Sequence, residues 1–109
     1  MAHPLQIIKK RSIFILVRNK GIVLKCNFLI IQLLEKQKLD NSIQVGFIAS
    51  KKLGNAIKRN KAKRIMRELT RKVITKYGKI NSYYVLIAKS SIFEIPFDFQ
   101  ENELKKLIS

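Results

Sequence analysis

Between Ile43 and Ser50 apolar side chains fall on every second residue (Ile43, Val45, Phe47, Ala49); beyond Leu53-Gly54-Asn55 they fall at helical spacing. The first pattern is a strand with one face against a core, because successive strand side chains point to opposite faces. The second puts Ala62, Ile65, Met66, Leu69, Val73 and Tyr77 on one stripe at about 100° per residue. The switch falls at Gly54, which accepts backbone angles closed to other residues, and Asn55, a good helix N-cap. A strand that feeds a helix after so short a break commits the chain to a mixed α and β architecture.

The remaining segments extend that reading. Residues 7–18 mix apolar and basic groups and read as a first helix, ended by the C-cap signal Asn19-Lys20-Gly21. Residues 22–34, rich in Ile, Val, Leu and Phe, read as a strand buried on much of both faces. Lys36 to Ser42 is polar and holds an Asp40-Asn41 turn. The helix that opens at Ala56 runs to about Tyr77 and stops at Gly78; Tyr83 to Ala88 is another strand, and Glu101 to Ile108 a short final helix. The order is αββαβα, or αβββαβα where the first β region divides in two. A chain of 109 residues without internal repeat, low-complexity tract or linker reads as one domain over residues 1–109.

Charge narrows what such a domain can do. The formal net charge is +16, and 11 of the 23 Lys and Arg residues lie between Lys51 and Lys76, where Glu68 is the single acid. Sixteen excess positive charges repel one another unless a polyanion neutralises them. The apolar fraction of 47% is enough for a core, so this is not a disordered basic tail. One cysteine, Cys26, excludes an internal disulfide and reads as a small core residue. One histidine, His3, lies in a Met-Ala-His-Pro start expected to fray; zinc fingers and zinc hydrolases are excluded, and a Ser-His-Asp or Cys-His system would have to use His3 itself. No span approaches the ~20 apolar residues that cross a bilayer, and no signal peptide is evident, which makes the cytoplasm the expected location.

Lys63, Arg64, Arg67 and Arg71 project to one side of the long helix, where several cations can meet one phosphate backbone together. A merely solvated helix face normally intersperses acids at i, i+4, and this one has only Glu68. A membrane-surface helix usually carries bulky Trp, Phe or Leu on its apolar side; this stripe is ordinary core material. Composition alone does not choose between RNA and DNA.

The stretch Val45-Gly46-Phe47-Ile48-Ala49-Ser50-Lys51-Lys52-Leu53-Gly54-Asn55-Ala56, followed by Arg59-Asn60-Lys61-Ala62-Lys63-Arg64-Ile65-Met66-Arg67-Glu68, resembles the bacterial ribonuclease P protein subunit. The shared pattern is a strand ending in S-K-K-x-G-N-A, then a helix opening with R-N-[RK]-x-K-R-x-x-R. Weaker similarity runs outward through Lys9-Lys10-Arg11 to Gly21 and Tyr84 to Lys89. The resemblance implies an α+β, αβββαβα two-layer sandwich of the ribosomal protein S5 domain 2-like kind, with a left-handed βαβ crossover. It implies a subunit that partners a catalytic RNA in removing the 5′ leader of precursor tRNA. The chemistry would belong to that RNA and to Mg²⁺ held mainly by it, with no catalytic residue and no metal ligand assigned in the protein.

By the motif, Arg59, Asn60, Lys61, Lys63, Arg64 and Arg67 would face the catalytic RNA, with Arg71 extending the face and Lys51 and Lys52 reaching RNA from the strand end. A second surface would be a leader cleft between the first helix and the sheet. Phe14 matches a cleft aromatic; Arg18 stands where the family often has a second Phe, and Ile31 where an aromatic is common on the sheet. Arg18 can stack through its guanidinium plane or grip phosphate. Phe93, Phe97 and Phe99 are expected to pack rather than bind. Two other readings are a ribosome-associated protein that binds folded rRNA, and a free-standing nuclease, for which the paired acids are missing.

Overall fold

The computed structural model describes residues 4–109; His3 lies outside the described residues. The elements run β1 (Leu5–Ile7), α1 (Arg11–Lys20), β2 (Ile22–Lys25), β3 (Leu29–Leu34), β4 (Ile43–Ile48), α2 (Ala56–Leu69), a π-helical turn (Thr70–Ile74), α3 (Thr75–Tyr77), β5 (Ser82–Ala88) and α4 (Phe97–Ile108). Five strands form one mixed sheet in the order β1-β4-β5-β3-β2. β4 is parallel to both neighbours, β1 and β5, whereas β3 pairs antiparallel with β5 and β2.

One expectation is corrected at the N-terminal half. The first helix covers 11–20 rather than 7–18, because Leu5–Ile7 pairs as a short strand with Ile43–Val45. Of the two readings of the apolar run 22–34, the divided one holds: it is a hairpin of β2 and β3. Its polar interruption Lys25-Cys26-Asn27 holds the turn, where the Cys26 N–H donates to the Leu29 carbonyl at 3.0 Å. Lys89 Nζ and Ser91 Oγ donate to the Cys26 and Asn27 carbonyls and pin the turn to the chain after β5. Cys26 is half-buried against the core edge.

Helices stand on both faces of the sheet, which corrects the two-layer sandwich the resemblance implied, and the sheet separates two apolar layers. On one side Leu29, Ile31, Leu33, Val45, Tyr84 and Leu86 meet Ala62, Met66, Leu69 and Val73 of the long helix and Leu104 and Ile108 of α4. On the other side α1 covers the sheet with Val17, against Ile8 and Val85, with Ile13, Phe14 and Leu34 at the margin. Phe93 and Phe97 pack against the larger layer as expected, whereas Phe99 is 48% exposed.

The long helix departs from simple α spacing near its end. In the α register Leu69, Val73 and Tyr77 share a face; the π turn at Thr70–Ile74 widens one turn by a residue. Thr70, Val73, Ile74 and Thr75 are buried as a result, and Tyr77 emerges 43% exposed rather than ending the core stripe.

Candidate nucleic-acid interface

Two residues fix where α2 begins. Gly54 adopts φ +130°, a conformation unfavourable for residues with a side chain, and a Cβ there would meet Lys58 Cδ at 2.8 Å. The Asn55 side chain accepts a hydrogen bond from the Lys58 N–H at 3.0 Å, the N-cap its residue type predicts. No acid stands in the first turn, where helices favour negative charge. The positive end of the helix dipole and the cations Lys58, Arg59 and Lys61 therefore add to one another, an arrangement suited to an anion from outside.

From that start α2 deals its basic side chains to different neighbourhoods. Asn60, Arg64 and Arg67 are exposed and Lys63 is half-buried. Lys63 lines a groove of about 390 Å³ together with Lys9, Arg11, Phe14, Phe47, Ile48 and Ala49. The Arg67 guanidinium lies 5.9 Å from the centre of the Phe47 ring at the same end of β4. Lys61 faces away from this groove, into a separate depression with Lys58, Leu53 and Phe93. Lys51 and Lys52 form an exposed 3-10 turn after β4, and Lys52 borders a third hollow over Ile30 and Ile87.

Two of the cations are already engaged. Arg59 is half-buried, and its Nε donates to the Ala49 carbonyl at 3.0 Å, tying the first turn of α2 to the end of β4. Arg71 hydrogen-bonds Glu68, with Nε 3.2 Å from Oε2 and a second contact through Nη2. That bond holds the Glu68 carboxyl below, and raises the Arg71 guanidinium above, their ordinary values. Both side chains lie at the surface, so the pair is screened and Arg71 is partly neutralised in its own turn. Glu68→Gln is expected to free Arg71, tighten binding to single-stranded RNA by about 2-fold and steepen the logarithmic salt slope by ~0.7. A salt titration of both proteins checks this.

The cleft aromatics resolve differently from their sequence assignment. Phe14 is half-buried, with its ring laid on Gly46 so closely that a Cβ there would meet Phe14 Cε1 at 2.5 Å. The glycine thus makes room for the ring. Arg18 is exposed one helical turn further along α1. Ile31 is a correction: it is fully buried on the α2 side of the sheet, not in the cleft beside α1. Strand alternation gives the α1 side to Ile30, Gln32 and Leu34, so the cleft positions on β3 are its neighbours.

Sequence reasoning missed Lys9, Arg11, Phe47, Ile48 and Ala49 as groove residues. Phe47 has the parity of a core position and packs partly against the larger layer; nothing local signals that β4 loses its outer neighbour there. Among the described residues no three His, Cys, Asp or Glu side chains gather as a metal site, and no helix is long and apolar enough to cross a membrane.

Fold and site together define a class: a small α+β protein in which a polycationic helix stands beside an aromatic groove at a sheet edge. The chain belongs to the Ribonuclease P family, whose sequence profile matches residues 3–109. The ribonuclease P protein component of Paramagnetospirillum magneticum is 32% identical over 107 residues, covering 95% of this chain and 80% of that protein. That of Caulobacter vibrioides is 37% identical over 82 residues, 75% of this chain and 54% of the relative, so the match spans about half the length of that protein. Among solved structures, the Staphylococcus aureus RNase P protein superposes with a TM-score of 0.76 at 26% identity, covering 93% of this chain and 90% of that one. The RNase P protein from Thermotoga maritima has a TM-score of 0.80 at 24% identity, covering 94% of both chains, a likeness of fold.

Proposed function

We propose that the chain is the protein component of ribonuclease P and assists a catalytic RNA in the endonucleolytic removal of the 5′ leader from precursor tRNA. The observation that carries the reading is the run from Ser50 to Arg67: it matches the family motif and stands as a cationic helix start beside a groove edged by Phe14 and Phe47. Division of labour follows from the side chains. Exposed Arg64 and Arg67, with Asn60, are suited to the phosphates of folded RNA, and Lys51, Lys52 and Lys61 extend the positive field around the helix start. Lys9, Arg11 and Lys63 around Phe14 are suited to an unpaired strand, whose bases stack and whose phosphates need cations. Arg59 serves first as the strut between α2 and β4.

Mg²⁺, held mainly by the RNA, would supply the activated water for phosphodiester hydrolysis. No residue of this chain is assigned as a ligand to it. The protein's part is to lower the repulsion between two polyanions and to hold the leader. The cytoplasm, where precursor tRNA is made, is the proposed place of action. We also assign the β4-α2-β5 connection the left-handed crossover of the ribosomal protein S5 domain 2-like fold; the parallel pairing of β4 with β5 across a helix is what supports a βαβ unit.

Reconstitution tests the function. Precursor tRNA is incubated at low Mg²⁺ with the protein alone, a bacterial ribonuclease P RNA alone, and both. Cleavage at the mature 5′ end is expected to be appreciable only with both. Cleavage by the protein alone would make it a nuclease in its own right. Binding to folded RNA without any dependence on a leader would favour the rRNA-binding alternative.

A further inference from the structure

β1 ends at Ile7 while β4 runs on to Ile48, so the last part of β4 has no strand on its outer side. Along the paired part, the Ile43 N–H donates to the Pro4 carbonyl and the Ile8 N–H to the Val45 carbonyl, each at 2.9 Å. The odd-numbered residues of β4 thus turn their main-chain groups towards β1, and the even-numbered ones towards β5. Phe47 continues the odd series beyond the end of β1. Its N–H and C=O point outward, and no main-chain group of the described residues pairs with them. The next outward carbonyl, that of Ala49, is taken by Arg59.

The open edge is therefore one residue long. That is too short to add a strand, whose pairing needs several consecutive bonds, but it presents one donor beside one acceptor. The surroundings say what would use it. The groove wraps the edge of β4, with Phe14 against one face at Gly46 and the Phe47 side chain on the other. Lys9, Arg11 and Lys63 ring it without an acid among the lining residues. Its volume of about 390 Å³ is that of a small-ligand site. A flat aromatic group whose rim alternates donors and acceptors, joined to anionic groups on either side, satisfies all of these at once. That is a nucleotide of an unpaired RNA strand.

We propose that the Phe47 main chain reads the pairing edge of one unpaired nucleobase, which lies against the Phe14 ring while Lys9, Arg11 and Lys63 hold its flanking phosphates. This rests on the RNA-binding reading above and adds to it a position where the base is recognised by hydrogen bonds rather than by stacking alone.

The test uses a labelled uridine pentaribonucleotide and the full chain. Each position in turn is replaced by N3-methyluridine, which keeps the ring but loses the donor of the pairing edge. At one position methylation is expected to weaken binding about 3- to 10-fold, the effect of one lost hydrogen bond. Phe47→Leu keeps the main-chain pair and is expected to keep that ratio. Phe47→Pro deletes the N–H at a position that gives none to the sheet, where proline is tolerated, and is expected to bring the ratio close to 1. Circular dichroism establishes that both variants are folded, and the modified RNA tests the idea on the unaltered protein in any case. Equal affinity for all five methylated strands would overturn edge reading while leaving leader binding intact. Failure to bind any pentamer, with precursor affinity independent of leader length, would overturn the RNA-strand reading itself.

Discussion

Replacing Lys63 and Arg67 together by alanine is expected to weaken binding of precursor tRNA to the protein by about 5- to 30-fold near physiological salt, a loss of ~1–2 kcal/mol. The logarithmic salt slope should become shallower by ~1.4 if both meet single-stranded phosphates and by ~1.8 if both meet duplex. These two cations are chosen for their surroundings. Lys63 is half-buried in the wall of the groove and Arg67 lies over Phe47 beside it. The salt bridges among the described residues are Arg71–Glu68 and Lys79–Glu35, so neither is compensated by an acid. Lys105→Ala, on α4, is the control: its ammonium lies 4.7 Å from the ring of Tyr77 at the end of α3, away from the groove. An equal change of slope in the control would mean that the chain binds RNA through its net charge rather than through this face. Arg67→Lys separates charge from shape, because it keeps the former and loses the planar group over the ring.

The second large effect concerns stability. Ile31→Ala is expected to destabilise the fold by ~2–5 kcal/mol, since it removes three carbons from a site with no exposed surface among Met66, Leu69 and Leu86. For a domain of this size that is a fall in melting temperature of at least ~8 °C. Gln32→Ala, one residue along on the opposite face of β3, is expected to stay within ~0.5 kcal/mol of the parent. Thermal melts of the two variants side by side decide which face each residue serves. A stable Ile31→Ala with weakened RNA binding would return Ile31 to the cleft and overturn the burial argument.

The parts of the fold that were legible in sequence are those whose signals are local. The alternation in β4, Gly54, the Asn55 cap and the apolar stripe of α2 all lie within a few residues of what they determine. The parts that were not legible depend on partners far along the chain. Leu5–Ile7 is a strand only because Ile43–Val45, nearly 40 residues later, offers it an edge. Ile31 and Gln32 are adjacent in an apolar run where Gln32 alone is polar, so matching the family's cleft position one residue off exchanges core for cleft. The site divided in the same way. The basic helix was readable from its motif and charge. The groove was not, because Phe47 has the same parity as its buried neighbours Ile43 and Val45 and differs only in where β1 stops.

The π turn has a consequence for how the chain can vary. One residue more or fewer between Thr70 and Ile74 rotates everything beyond it by about 100°. The basic turns before it keep their aim. The helix works as two shafts joined by a coupling: the near shaft is indexed to the groove, and the far one to the contact with α4. Changes in length at the coupling retune the second without disturbing the first.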